Sequence, residues 1–94
     1  MASFTTRVEL HKATEEDYLA LHTAMEIEGF TRTIEGSDGK LYQLPTAEYN
    51  RVRDGLTKEQ VMEDAKSAVS STGRKYWILV TESKARTWVL NEAR

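Results

Sequence analysis

The chain has 94 residues, and its 13 Lys and Arg against 15 Asp and Glu give a formal net charge of −2. This length predicts one domain, and the absence of cysteine excludes disulfides, thiol nucleophiles and cysteine-ligated zinc. No apolar stretch approaches the ~18 residues of a membrane span and the N-terminus lacks a secretory-signal pattern, so we expect a cytoplasmic protein without membrane contact. The charge balance argues against a duplex-DNA binder.

The first half of the chain predicts a strand, a helix and a hairpin. Apolar and polar residues alternate over 4–11, which is typical of a half-buried strand. Thr14, with Asp17 at the capping-box position, predicts a helix over 14–28 that ends before Gly29. A second strand over 30–35 and a turn over 36–39 lead into a third strand over 40–44. At Pro45 that strand stops, bulges or lies on an edge, and 47–52 is its alternative continuation.

The second half predicts a helix and two strands. Thr57 with Gln60 forms another capping box, and the apolar stripe that follows predicts a helix over 57–72. The continuous apolar run over 76–80 is rich in aromatic and β-branched residues and predicts a strong strand over 75–81. A short segment over 86–90, which contains Trp88, predicts a further C-terminal strand.

This order of elements predicts an α+β fold of the ferredoxin-like split βαβ type (βαββαβ) with an extra C-terminal strand. Two helices would pack on one face of an antiparallel sheet, with the first strand between the third and the fourth. The fourth strand is apolar on both faces, so it turns away from the helices either Trp77 and Leu79 or the alternate set Tyr76, Ile78 and Val80. Because such a patch rarely stays exposed, we expect cover from the C-terminal segment or, preferably, from a homodimer formed through the fourth strand and that segment.

Charge is unevenly distributed along the chain. The first helix carries five acidic residues and no basic one, so a nucleic-acid surface must avoid it. The basic residues on strands and loops form either a modest positive stripe or scattered surface charge. They include Arg7, Lys12, Arg32, Arg51, Arg53, Arg74, Lys75 and Arg86.

Few residues offer chemistry, and no metal or cofactor motif is present. His11 ends the first strand beside Lys12 and is the candidate general base for a 2′-hydroxyl, with Arg7 or Lys12 neutralising the phosphate; the alternative is an incidental surface histidine. His22 is expected at the core margin with a hydrogen bond. Three acids would hold magnesium only if the fold or a dimer brought them together: Glu9, Asp38 and Glu48. Four aromatic residues either stack on unpaired bases or pack in the core: Tyr42, Tyr49, Trp77 and Trp88.

The middle of the chain resembles a known family. The matching residues are Tyr18, Met25, Gly29-Phe30, Ile34, Asp38-Gly39, Tyr42-Gln43-Leu44-Pro45 and Tyr49. Over 4–81 the sequence is similar to the family named for the GhoS endoribonuclease antitoxin of type V toxin–antitoxin systems. The resemblance implies a ferredoxin-like fold shared with small CRISPR-associated nucleases, and a bacterial or phage-borne protein that cleaves or binds the messenger RNA of a small membrane toxin. Those nucleases place an aspartate near the end of the first strand, where this chain has Glu9, Leu10 and His11.

Two functional hypotheses follow. In the first, the protein acts on single-stranded RNA, with His11 and Arg7 as catalytic candidates and Lys12 and Arg32 as RNA-binding candidates. In the second, it is a non-enzymatic homodimeric interaction module. Neither requires a cofactor.

Overall fold

The computed structural model describes residues 2–93 of the chain. The elements are β1 (Ala2–Leu10), α1 (Glu15–Ile27), β2 (Thr33–Glu35), β3 (Leu41–Gln43), β4 (Glu48–Arg53), α2 (Lys58–Ser70) and β5 (Tyr76–Ser83). The three longer strands form an antiparallel sheet in the order β4-β1-β5, and β2 and β3 form a separate hairpin. The expected α+β class is therefore confirmed. Within these residues no helix is both long and apolar enough to cross a membrane.

Both helices begin at the predicted capping boxes. The Thr14 hydroxyl accepts from the Asp17 N–H at 3.2 Å, and the Asp17 carboxylate accepts from the Thr14 N–H at 2.9 Å. Thr57 and Gln60 make the same reciprocal pair at α2. After α1, Gly29 takes a φ of +96°, which a residue with a Cβ adopts only under strain. Local sequence signals therefore set where the helices start and where α1 stops.

The third predicted strand is divided into two separate strands. The part before Pro45 pairs only with β2, and it is β4, after Pro45, that pairs with β1. The prediction that 40–44 neighbours the first strand is therefore wrong. The physical reason lies in the connection, where Ala47 has a φ of +70° and the Glu48 N–H donates to the Pro45 carbonyl at 3.1 Å in a turn. The second predicted strand, expected over 30–35, is shorter in the structure, where β2 begins only at Thr33. Before β2, Thr31 forms an isolated bridge with Asn50 of β4.

The predicted C-terminal strand over 86–90 is wrong. Residues 84–93, which we call the C-terminal strap, leave the end of β5 and reach the hairpin without a strand at 86–90. Side-chain contacts of Arg86 and Trp88 hold the strap instead of a ladder of backbone hydrogen bonds. Only its end lies along β3, where the Gln43 N–H donates to the Asn91 carbonyl at 2.9 Å and the Ala93 N–H donates to the Leu41 carbonyl at 2.8 Å.

The core lies between the sheet and the two helices. Phe4, Val8 and Leu10 alternate along β1 and join a buried cluster that also contains side chains of β4, α1 and α2. Tyr76, Ile78 and Val80 of β5 pack against the same cluster. The two faces of β5 are thereby distinguished, and Trp77 and Leu79 point away from the helices. We call this second surface of the three-stranded sheet the open face.

Candidate functional site

The open face combines aromatic, aliphatic and charged side chains. The register places Arg7 of β1 between Glu48 and Leu79, and Glu9 opposite Trp77. Trp77 is 67% exposed and Leu79 is 64% exposed, so neither is part of the core. Because the open face carries the largest exposed apolar side chains of the sheet beside charged ones, we treat it as the candidate functional site.

His11 lies against Trp77 on this face. The two ring centroids are 4.8 Å apart and the ring planes meet at 82°, an edge contact that orients both rings. The backbone fixes the position of His11, since its N–H donates to the Lys75 carbonyl at 2.8 Å. The result is an imidazole beside a largely exposed indole at the end of β1. This arrangement can stack an unpaired base and offer a ring nitrogen to its ribose or phosphate.

The two catalytic candidates share the open face but lie apart along β1. Arg7 and His11 are four residues apart in one strand, which corresponds to about 13 Å between their Cα atoms. That spacing suits contacts to different nucleotides of one RNA strand better than joint action on a single phosphate. Lys12 is the cation next to His11. It occupies the turn after β1 with a φ of +53° and is exposed.

Arg32 belongs to another part of the protein. Its charge acts on His22 of α1 and on Tyr49, which His22 contacts, and Arg32 lines a groove with Glu26 and Phe30. The structure therefore brings Arg7, His11 and Lys12 to β1 and the turn that follows it, and places Arg32 on the helix-covered side of the sheet.

His22 and Tyr49 form a buried hydrogen-bonded pair. His22 Nδ1 lies 2.6 Å from Tyr49 Oη, and the tyrosine side chain is fully buried. Burial lowers the pKa of His22, and the positive charge of Arg32 lowers it further. Burial also raises the pKa of Tyr49 far above its usual range. Both rings are therefore uncharged at neutral pH. His22 lies at the core margin, as predicted, and Tyr49 lies within the core, where it cannot stack on a base.

The C-terminal strap covers one end of the open face through Arg86. Its Nη1 donates to Asn50 Oδ1 at 2.8 Å and to Thr5 Oγ1 at 3.3 Å, and partial burial lowers the pKa of this guanidinium. Asn50 is only 9% exposed, because Arg86 covers it and because it lies within β4. The strap thus supplies part of the intramolecular cover that was the alternative to a homodimer, although Trp77 and Leu79 stay exposed. Sequence patterns gave no signal for these contacts, which join residues 36 and 81 positions apart.

Trp88, the aromatic residue of the strap, packs on the hairpin instead of on the sheet. Its ring centroid is 5.9 Å from that of Tyr42, whose hydroxyl donates to the Asp38 carboxylate at 2.6 Å. This hydrogen bond lowers the pKa of Asp38 and raises that of Tyr42. Among the four aromatic candidates, Trp77 is therefore the one that offers a largely exposed ring on the open face.

The acidic candidates for a magnesium site do not converge. Asp38 belongs to the hairpin turn, where its carboxylate accepts from the Lys40 N–H at 3.0 Å, while Glu9 and Glu48 lie on β1 and β4. Between residues 2 and 93 no group of three or more His, Asp or Glu side chains is arranged to hold a metal ion. The open face itself carries an exposed indole, an imidazole and the guanidinium of Arg7, groups that can stack, form hydrogen bonds and pair with an anion. Comparisons with family models, curated proteins and solved structures find no match for this chain.

Proposed function

We propose that the protein is a cytoplasmic, RNA-directed protein that binds single-stranded RNA on the open face of a ferredoxin-like sheet. One observation carries this proposal: Trp77 is 67% exposed on that face, with His11 against it and Arg7 on the same strand. Stacking of one base on an aromatic side chain contributes ~1–3 kcal/mol, and it requires an exposed ring. Arginine along the same surface supplies the phosphate contacts.

The acidic helix lies away from the proposed RNA-binding surface. It packs on the other side of the sheet, so the carboxylates of α1 do not repel a phosphate backbone on the open face, where the acidic side chains beside Arg7 are Glu9 and Glu48. The sheet order β4-β1-β5 and the pairing of Thr31 with Asn50 also place the strands as in a split βαβ domain whose second strand is shortened. This arrangement supports the ferredoxin-like assignment and, with it, the resemblance to endoribonuclease-type antitoxins.

RNA binding is the part of this function that the geometry supports best. Cleavage requires a base at the 2′-hydroxyl and a cation at the same phosphate. His11 can supply the base, and Lys12 is the nearest cation in sequence, whereas Arg7 is about 13 Å away along the strand. The proposed cleavage therefore depends on His11 and Lys12, with Arg7 binding the RNA farther along the sheet.

Fluorescence anisotropy with labelled single-stranded RNA over a salt series tests the binding. Replacing Arg7 with alanine should weaken binding and reduce the slope of log K against log salt by about 0.7, because one phosphate contact is lost. Arg53→Ala is the matched control, since Arg53 is exposed at the end of β4 and lines a groove with residues of α2. No binding at low salt, or equal effects of the two substitutions, would contradict the proposal.

Gel analysis of RNA incubated with the protein tests cleavage. We expect His11→Ala to abolish cutting while the affinity falls only modestly, since Arg7 and Trp77 remain. If the unaltered protein binds RNA and leaves it intact, the function is binding alone.

A second candidate function is the homodimeric, non-enzymatic interaction module. The observation that favours it is the apolar character of the open face. Trp77 and Leu79 of β5 are 67% and 64% exposed, and Val52 of β4, on the opposite edge strand, is 44% exposed. Light scattering or sedimentation at micromolar concentration should then show a dimer, and a monomer across that range would contradict this candidate.

A further inference from the structure

One edge of β5 has backbone groups without a strand partner. The His11 N–H donates to the Lys75 carbonyl, so the odd-numbered residues of β5 direct their backbone groups towards β1. The even-numbered residues Tyr76, Ile78 and Val80 therefore direct theirs to the opposite edge. Within 2–93 β1 is the only strand that pairs with β5.

This edge lacks the features that keep edge strands from pairing. Natural edge strands are usually protected by lysine, proline, a bulge or a covering segment. The first six residues of β5 are Tyr-Trp-Ile-Leu-Val-Thr, with no charge and no proline, and the strap that follows pairs with β3 instead of covering them. An unprotected apolar edge strand of this kind favours another strand as its partner.

We propose that this partner is β5 of a second copy of the chain, paired antiparallel about a two-fold axis at Ile78. The two three-stranded sheets then join into one sheet of six strands. The inference rests on the homodimeric part of the proposed function. It adds which strand edge forms the interface, how the two strands are oriented and which residues lie opposite each other.

Charge and side-chain pairing select this register. Pairing about Ile78 places Trp77 opposite Leu79 of the second copy, and Arg74 opposite Glu82 of the second copy. Pairing about Leu79 would instead set Arg74 against Lys84 of the second copy, two like charges at the end of the new ladder. Arg74 already pairs with Asp17 through its Nε, at 2.9 Å, so the contact with Glu82 of the second copy would use the terminal nitrogens of the guanidinium. Opposite charges and aromatic–aliphatic pairs across strands are stabilising, and like charges are not.

The same pairing keeps the RNA-binding surface accessible. A two-fold axis perpendicular to the sheet leaves both open faces on one side, so Trp77 and Leu79 of each copy adjoin those of the other across the new strand pair. The dimer thus buries part of the exposed apolar surface and doubles the width of the open face across the strands. Because one strand edge is small compared with a standard interface, we expect dissociation in the micromolar range.

Cysteine cross-linking tests the register sharply, because the chain contains no cysteine and one introduced thiol is the only one present. In the proposed dimer the two Ile78 Cα atoms form a hydrogen-bonded pair about 5.5 Å apart, within the range that a disulfide spans. Ile78→Cys should therefore give a covalent dimer on mild oxidation at micromolar concentration. Val80→Cys is the matched control on the same side of the same strand, and its two Cα atoms would lie about 13 Å apart.

We expect ~10-fold more covalent dimer from Ile78→Cys than from Val80→Cys. Equal cross-linking of the two, or preferential cross-linking of Leu79→Cys, would overturn the proposed register. Val80→Pro provides a second test, since it removes an N–H that points to the free edge and leaves the bonds to β1 intact. This variant should sediment as a folded monomer, and a folded dimer would overturn the pairing.

The readouts separate this inference from the functions on which it builds. A dimer in sedimentation that does not cross-link at Ile78 overturns the β5 pairing and leaves the homodimeric function standing. A monomer at all concentrations overturns both. RNA affinity measured on the same samples reports independently on the RNA-directed function.

Discussion

Replacing Tyr49 with phenylalanine should destabilise the protein through one buried hydroxyl. The substitution keeps the ring, which packs 6.5 Å from the Phe30 centroid, and removes the oxygen 2.6 Å from His22 Nδ1. Because His22 is only 8% exposed, water cannot replace that partner fully. A buried polar atom left without a hydrogen bond costs ~1–3 kcal/mol. We therefore expect the free energy of unfolding to fall by about 2 kcal/mol and Tm by about 8–16 °C.

The same pair predicts a pH dependence with a definite sign. Burial, with Arg32 adding to it, lowers the pKa of His22 in the folded protein below the usual value of 6.5. As the pH falls, His22 therefore takes up a proton in the unfolded chain before it does so in the folded protein. The contribution of His22 to stability is thus greatest above about pH 6.5. As the pH falls below about 6.5, stability should be lost until the folded histidine is itself protonated. His22→Gln should remove this part of the pH dependence.

Urea unfolding of the original protein, Tyr49→Phe and His22→Gln at about pH 7.5 and about pH 5.5 measures both effects. A loss below ~0.5 kcal/mol in Tyr49→Phe would refute the buried hydrogen bond. An acid-induced loss of stability that is equally large in His22→Gln would refute the assignment of the pH dependence to this residue.

Other substitutions test separate contacts. Asp64→Asn should destabilise the protein by ~2 kcal/mol in urea unfolding, since it removes the negative charge opposite Arg51, whose side chain is only 10% exposed. Arg51→Met should cost less, because the Asp64 side chain is 36% exposed and can be hydrated; the reverse order would contradict this reasoning. Thr14→Ala should cost ~1 kcal/mol through loss of the capping box, whereas Thr23→Ala on the exposed face of α1 should be nearly neutral in the same assay. Arg86→Ala should accelerate proteolysis within 84–93 while cleavage of the rest of the domain is unchanged, because Arg86 ties the strap to Asn50; unchanged proteolysis of the strap would contradict that role.

The helices and the first strand were predictable because their signals are local. Thr14 and Thr57 lie within three residues of the groups that they cap, and the alternation of β1 is visible within its own residues. The pairing partner of β1 was not predictable in the same way. Pro45 identified a break, but whether the chain resumes as a separate strand depends on the turn at Ala47 and on distant pairing.

The candidate site was only partly predictable, because its composition depends on long-range contacts. The run in β5 is apolar on both faces, so only its register with β1 determines that Trp77 is exposed and Ile78 is not. His11 and Arg7 could be identified as candidates from the sequence, because their residue types suit chemistry at a phosphate and both belong to the strand predicted over 4–11. The contact of Arg86 with Asn50 joins distant parts of the chain and has no local pattern.

The most direct test of RNA binding on the open face is the fluorescence of Trp77. The chain has two tryptophans, so Trp88→Phe leaves Trp77 as the only indole. Titration of this variant with single-stranded RNA should quench the emission and saturate at the concentration found by anisotropy, because a base stacks on the exposed ring. RNA binding that leaves the Trp77 emission unchanged would contradict the account.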